Sequence, residues 1–354
     1  MVVDGATAGA MAVRGPTSAY KLNSSSLNSE SSNSETGLLG NPSRREEWLN
    51  IAVIQPSPFC NINCDYCYLP SRSDTQRMSE TTLCSVVKGI FGTDLARDSL
   101  TFVWHAGEPM AVPVSWYRRA FGIISEEAPQ GLNIIHSFQS NGTLIDDEWC
   151  SFIKESSICL GLNIEEQEGV NTTSSLQAEH DDRVISFFRR MFERQKAAGG
   201  AVSIREFDYA LQRILTNRDA ASEDFVYDNE QVRPFGILSV DYQGNFSTFS
   251  PEMLGLTTPK YGNFTFGSFL TGGLETALSS SNFLSALEDT KAGVERCRRE
   301  CSYFNLYGGG APANKYFENG SFDSTETSYC RHVIQLPLSI VLEDIEAGLS
   351  VAAL

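Results

Sequence analysis

Three cysteines stand close together at C-x3-C-x2-C spacing, in the run Cys60-Asn61-Ile62-Asn63-Cys64-Asp65-Tyr66-Cys67. Thiolates are soft ligands, and three of them in one loop can each hold one iron of a 4Fe–4S cube. Only three ligands are local, so the fourth iron would stay open to a substrate or cofactor. The alternatives are a zinc loop or three incidental thiols. Zinc usually takes four closed ligands, or three and a water, from C-x2-C pairs and histidines, and only His105 is expected at a neighbouring strand end. A second group, Cys297, Cys301 and Cys330, lies in a C-terminal stretch rich in Gly, Asn and aromatics. Cys84, Cys150 and Cys159 are scattered over expected helices and a strand start and read as small buried hydrophobes.

An alternation of strands and helices would position these loops. Ile51, Val53 and Ile54 form a short apolar run ending at Pro56, a buried strand that delivers the cysteine loop. Ser79 is an N-cap for a helix whose Leu83, Val86, Val87, Ile90 and Phe91 share one face. A strand at Leu100–Trp104, a helix around Trp116–Ile124, a strand at Ile134–Phe138, a helix around Asp146–Lys154 and a strand at Ile158–Ile164 follow. Such alternation implies a parallel sheet or barrel, with its chemistry in the loops at the C-terminal ends of the strands. Two turns fall there, Gly107-Glu108-Pro109 and Gln139-Ser140-Asn141-Gly142, and each alone is an ordinary turn. Beyond them, Val184–Phe192 marks an amphipathic helix stopping near Gly199-Gly200, Asp208–Leu215 and Asn282–Leu287 are helical, and Leu238–Phe249 is a hairpin turning at Gln243-Gly244-Asn245. Residues 297–330 read as a loop-rich module around a metal centre, and residues 1–45 as a Ser/Asn-rich disordered tail.

The 354 residues are 41% hydrophobic, enough for a sizeable core. With 27 basic against 44 acidic residues the net charge is −17, which argues against sequence-independent binding to nucleic acid or an anionic membrane. No apolar run reaches the ~18 residues of a membrane span, and no basic segment followed by an apolar one marks a secretory signal. A cytoplasmic protein with reduced thiols is expected, where clustered cysteines more often bind metal than pair.

The cysteine loop, with Tyr66 directly before its last cysteine, resembles the radical S-adenosylmethionine (SAM) superfamily. Trp104-His105-Ala106-Gly107-Glu108-Pro109 looks like that family's G-G-E-P motif with Ala106 in place of the first glycine, and Gln139-Ser140-Asn141-Gly142 resembles its T-N-G step. Cys297-Arg298-Arg299-Glu300-Cys301, Tyr307-Gly308-Gly309-Gly310-Ala311-Pro312, Glu318-Asn319-Gly320 and Cys330-Arg331 resemble the SPASM-type extension of peptide-modifying members, above all the GRRM-type branch. The resemblance implies that Cys60, Cys64 and Cys67 hold a reducing 4Fe–4S cluster whose open iron binds SAM. It places Tyr66, Gly107, Glu108 and Asn141 around SAM, the G-G-E-P turn binding its ammonium. It gives Cys297, Cys301 and Cys330 an auxiliary iron–sulfur cluster, with Tyr307 where the family has a further cysteine.

The fold so implied is α/β, a partial (β/α) TIM-like barrel over residues 46–235 followed by a hairpin and SPASM-like extension over residues 236–354. The implied reaction is hydrogen abstraction by a 5′-deoxyadenosyl radical from a ribosomally made precursor peptide, forming a side-chain carbon–carbon cross-link, with electrons from a flavodoxin or ferredoxin. A sulfatase-type protein maturase and a catalytically impaired iron–sulfur peptide-binding protein are the alternatives. No catalytic side chain is singled out, although Glu165, Glu166, Arg205 and Glu206 fall near the expected barrel mouth. The strand at Ile158–Ile164 starts like the family's fourth and ends like its sixth, with the join near Gly161. Two βα units, roughly 60–70 residues at about 30 per unit, would then be absent, leaving about four parallel strands, an open edge and weak SAM turnover, unless Leu238–Phe249 or the segment near Ile204 supplies further strands.

Overall fold

A computed structural model describes residues 49–64, 67, 69, 71–162, 181–216 and 229–352. The expected tail at 1–45, Tyr66, Glu165 and Glu166 lie outside the described residues. Three β-then-α units open the fold. Strand β1 (Ile51–Ile54) leads through the cysteine loop to helix α1 (Glu80–Phe91); β2 (Ser99–Trp104) leads to α2 (Val114–Glu127); β3 (Asn133–Ser140) leads to α3 (Asp147–Glu155) and then β4 (Cys159–Leu162). Local chemistry sets several of these boundaries. The Ser79 hydroxyl accepts from the Thr82 amide at the start of α1, and Asp146 accepts from the Trp149 amide at the start of α3. Each satisfies one otherwise orphaned helix donor.

The sheet has the order β4-β3-β2-β1-β5-β6-β7. Strands β1 to β4 pair in parallel, with Ile51 opposite Thr101, Ser99 opposite Asn133, and Ser137 opposite Cys159. After helices α4 (Asp181–Ala197) and α5 (Arg205–Thr216), the chain returns to the other side of β1. There β5 (Ile237–Val240) pairs with it in parallel, Ile51 opposite Ile237. Strands β6 (Asn245–Thr248) and β7 (Gly267–Ser268) continue the sheet antiparallel. The sheet therefore has five parallel strands, four from the opening units and one from the Leu238–Phe249 hairpin, as the alternative reading of that hairpin expects. The expected boundary between residues 235 and 236 falls within a segment that feeds this one sheet. β4 is its outer strand, and among the described residues no strand pairs with its other edge.

One large core lies between the sheet and α1 to α3. Leu100, Phe102 and Trp104 alternate into it from β2 and meet Leu83, Val86, Val87 and Ile90 of α1. Trp104 is packed edge-on by Tyr117 and Trp116 of α2, and His136 of β3 stacks on Phe121 with ring centroids 3.6 Å apart. The C-terminal half runs through α6 (Ser281–Glu300), α7 (Phe304–Tyr307), α8 (Pro312–Asn319), a π-helical turn at Cys330–Gln335, and α9 (Leu336–Ala352). Residues 297–330 are thus more helical than a loop-rich module. A second core joins α5 and α9, where Phe207 and Ala210 pack with Leu338 and Val341. No helix among the described residues is long and apolar enough to cross a membrane.

Burial pulls the imidazoles of His105 and His136 down to about 4. Both are then neutral in the folded protein while the unfolded chain protonates near pH 6.5. Stability contributed by these groups is full above pH 6.5 and is lost as pH falls toward about 4. His136→Phe keeps the stack on Phe121 and removes one of the two. Urea unfolding at pH 7 and pH 5 should show the variant losing about 2 kcal/mol less than the parent over that interval.

Candidate functional site

The cysteine loop leaves the C-terminal end of β1 and is closed by Arg72. The Cys60 amide donates to the Arg72 carbonyl (3.0 Å), and the Arg72 guanidinium donates to the Cys64 carbonyl (2.8 Å). Cys60, Cys64 and Cys67 are free and half-buried. Burial pushes the Cys60 thiol up, and the charges of Glu108, Cys67 and Cys64 add to the effect. Among the described residues no three His, Cys, Asp or Glu side chains are placed to hold one metal ion between them. In a cube each thiolate holds a different iron.

The turn after β2 lies directly against this loop. Ala106 is left-handed (φ 65°) and Gly107 has φ 140°. A Cβ on Gly107 would sit 2.3 Å from the Ser57 carbonyl oxygen and 3.0 Å from that of Phe59, so the turn can approach the cysteine loop only as glycine. Gln55 holds the turn from below, its side-chain amide donating to the Ala106 carbonyl (2.5 Å). From α2, the Tyr117 hydroxyl donates to the Pro109 carbonyl (2.8 Å).

Glu108 joins the three strand ends. It is 1% exposed. Its amide donates to the Phe59 carbonyl (2.7 Å) in the cysteine loop. One carboxylate oxygen accepts from the Met110 amide and the Ser140 hydroxyl, each at 2.8 Å, and the other accepts from the Asn141 amide at 2.9 Å. The carboxylate is thus turned into the protein. The Asn141 side chain donates to Asn61 (2.9 Å) and lies 3.9 Å from the Cys60 sulfur, and Asn61 donates to Thr143 (2.8 Å).

Of the residues the sequence assigns to the SAM site, the structure brings Gly107, Glu108 and Asn141 together with the cysteine loop. Gln55 and Arg72 are two contributors the motifs do not announce. Gln55 was readable as the one polar side chain between the β1 apolar run and Pro56; nothing local marks Arg72. Cys297, Cys301 and Cys330 line one cavity together with Tyr307, Gly310 and Gln335. Cys297 and Cys301 lie one helical turn apart at the end of α6, where the Cys301 amide donates to the Cys297 carbonyl (2.8 Å). Burial pushes the Cys330 thiol up to about 12. Three soft donors on one cavity fit an iron–sulfur or other thiophilic centre. Tyr307 lines the same cavity, with the Arg213 guanidinium 5.1 Å from its ring centroid.

No family model matches the chain. The uncharacterized protein sll1766 of Synechocystis sp. is 32% identical over 378 residues, covering 86% of this chain and 94% of that protein. That alignment is longer than the chain's 354 residues although it takes in 86% of them, about 304, so roughly 74 positions set the relative against a gap in this chain. The serine-type anaerobic sulfatase-maturating enzyme of Klebsiella aerogenes is 34% identical over 115 residues, 32% of this chain and 28% of the enzyme. The chain therefore aligns with less than a third of that enzyme. The structure of anSMEcpe with bound AdoMet superposes with a TM-score of 0.62 at 17% identity, over 85% of this chain and all of that one. The same protein with bound AdoMet and Cp18Cys peptide gives 0.60 at 16%, over 84% of this chain and 99% of that one. The mixed α/β architecture with its parallel sheet is the fold of these enzymes.

Ala106→Gly should relieve the left-handed strain and raise stability by up to about 1 kcal/mol, read as a higher urea midpoint. Glu108→Gln should act the other way. One of its faces becomes an amide donor opposite existing donors, so about 1–3 kcal/mol should be lost.

Proposed function

We propose, on the premise that the chain belongs to the family of the Synechocystis protein and is homologous to the anaerobic sulfatase-maturating enzymes, that it is a radical SAM enzyme acting on a ribosomally made peptide. The observation that carries this reading is the junction of three strand ends, where one buried carboxylate ties the Ala106–Pro109 turn to Ser140 and Asn141 beside a three-cysteine loop. Cys60, Cys64 and Cys67 would hold a 4Fe–4S cluster beside a SAM site, and the bound pair would supply one-electron reductive chemistry able to remove hydrogen from an unactivated carbon.

The chain's own residues fix where that chemistry occurs. Arg72 holds the cysteine loop through a donor and an acceptor, which limits how far Cys60 and Cys64 can separate. Ala106 and Gly107 turn the backbone tightly against the cysteine loop, which brings this turn beside the three thiols. The Asn141 amide beside Cys60 is a weak N–H···S donor of the kind that favours thiolate over thiol. Trp104, Tyr117 and Phe138, all fully buried, exclude water behind the turn.

The finer assignment is a carbon–carbon cross-link between side chains of the peptide, with the electron delivered by a flavodoxin or ferredoxin and the substrate electron taken up at Cys297, Cys301 and Cys330. A peptide substrate is supported by the fold shared with anSMEcpe, which has been seen with a peptide bound. The local likeness to sulfatase-maturating enzymes keeps a second reading, oxidation of a Ser or Cys side chain to an aldehyde.

Anaerobically reconstituted protein with dithionite and SAM should release 5′-deoxyadenosine, and Cys64→Ala should abolish that release. Undiminished release by the variant removes the assignment. Incubation with peptides encoded beside the gene should give a product two hydrogens lighter that does not react with hydrazide. A hydrazide-reactive product favours the aldehyde reading instead.

A further inference from the structure

Lys315 is a lysine only 2% exposed. It stands on α8, and its ammonium donates to the Cys297 sulfur at 3.3 Å. Two glycines lie beside its path, and Gly293 also lets the Phe322 carbonyl approach. A Cβ on Gly293 would lie 3.1 Å from Nζ, and a Cβ on Gly310 would lie 3.1 Å from Cε. Burial pulls the Lys315 amine below its ordinary value, and the Cys297 and Cys330 sulfurs and the Asp323 carboxylate oppose that fall. Asp323 already pairs with the Arg296 guanidinium at 2.9 Å and accepts from Ser321 at 2.5 Å. A second donor reaches a second sulfur of the same cavity, the Gln335 side-chain amide at 3.5 Å from Cys330.

A neutral thiol is a weak acceptor, and a buried ammonium is costly without an anion beside it. The ammonium and the amide are donors that a neutral thiol uses weakly and a metal-bound thiolate uses well. Net charge and hydrogen bonds to the sulfurs are two of the levers that set the potential of such a centre. We propose that Lys315 is the fixed counter-charge of a thiolate–metal centre on Cys297, Cys301 and Cys330, and that it makes this centre easier to reduce by one electron. This rests on the second cluster within the proposed function but not on SAM cleavage. Lys315 is a positioning and tuning residue, since it touches a ligand sulfur and no reacting atom.

The test uses the full chain with Cys60, Cys64 and Cys67 changed to Ala, reconstituted with iron and sulfide, so that only the C-terminal centre is read. Dithionite titration followed by EPR gives its potential. Lys315→Met, of similar length and uncharged, should retain iron and be at least tenfold harder to reduce at a given poise, a shift of 59 mV for one electron. Lys315→Arg should stay near the parent. An iron-loaded Lys315→Met protein with the parent potential overturns the proposal. So does a parent that binds no iron on reconstitution, whatever the result for SAM cleavage in the unmodified protein. Should Lys315→Met not fold, Gln335→Leu on the other sulfur should give a smaller shift in the same direction, and no shift there overturns the charge-and-donor account.

Discussion

The arrangement depends on one buried carboxylate. Glu108 meets donors from its own turn and from the end of β3, while its amide is tied to the cysteine loop after β1. In a low-dielectric interior such bonds are strong, and an unmatched donor is costly, so the three strand ends are fixed together or not at all. Their mutual placement is what a cofactor spanning three loops requires. Gly107 makes the close approach sterically open and Glu108 makes it stable. The aromatic slab of Trp104, Tyr117 and Phe138 keeps the junction dry from behind.

The C-terminal half is part of this frame and not an appendage. Strand β5 flanks β1 on the side opposite β2, so the strand that delivers the cysteines is held from both edges. The hairpin also reaches the site directly. The Tyr242 amide donates to the Gln55 side chain (3.4 Å), whose other end holds the Ala106 carbonyl, and the Tyr242 hydroxyl donates to Asp74 (3.0 Å) beyond the cysteine loop. β1 is also where the strand order reverses, and ligand sites in open α/β sheets form at the carboxyl ends beside such a reversal.

Elements with strong local signals were legible in the sequence. α1 carries both a Ser79 cap and a helical apolar stripe, and β2 alternates cleanly, so each lies within a few residues of its expected span. What local pattern cannot give is non-local pairing. The Leu238–Phe249 hairpin is readable from Gly244 and is a candidate source of extra strands, but nothing in it says that its partner is β1. Between 304 and 319 the abundance of Gly and Asn suggested loops, yet Pro312 at the start and Gly320 at the end are the ordinary punctuation of a short helix, and α8 lies between them. The motif Gly107-Glu108-Pro109 located the site correctly in the chain. It could not say that the Glu108 side chain points inward, because that depends on Ser140 and Asn141 arriving from another strand. Lys315 is likewise ordinary in sequence, and only Gly293 and Gly310 beside it expose its path.

The central claim is that Cys60, Cys64 and Cys67 hold a cluster with an iron open to SAM, framed by the Glu108 junction. The most direct measurement is the EPR spectrum of the dithionite-reduced full chain, with Cys297, Cys301 and Cys330 changed to Ala, recorded before and after adding SAM. The account predicts a reduced 4Fe–4S signal whose g-values shift when SAM is added. A signal that SAM leaves unchanged, or no cluster signal at all from these three cysteines, would contradict it.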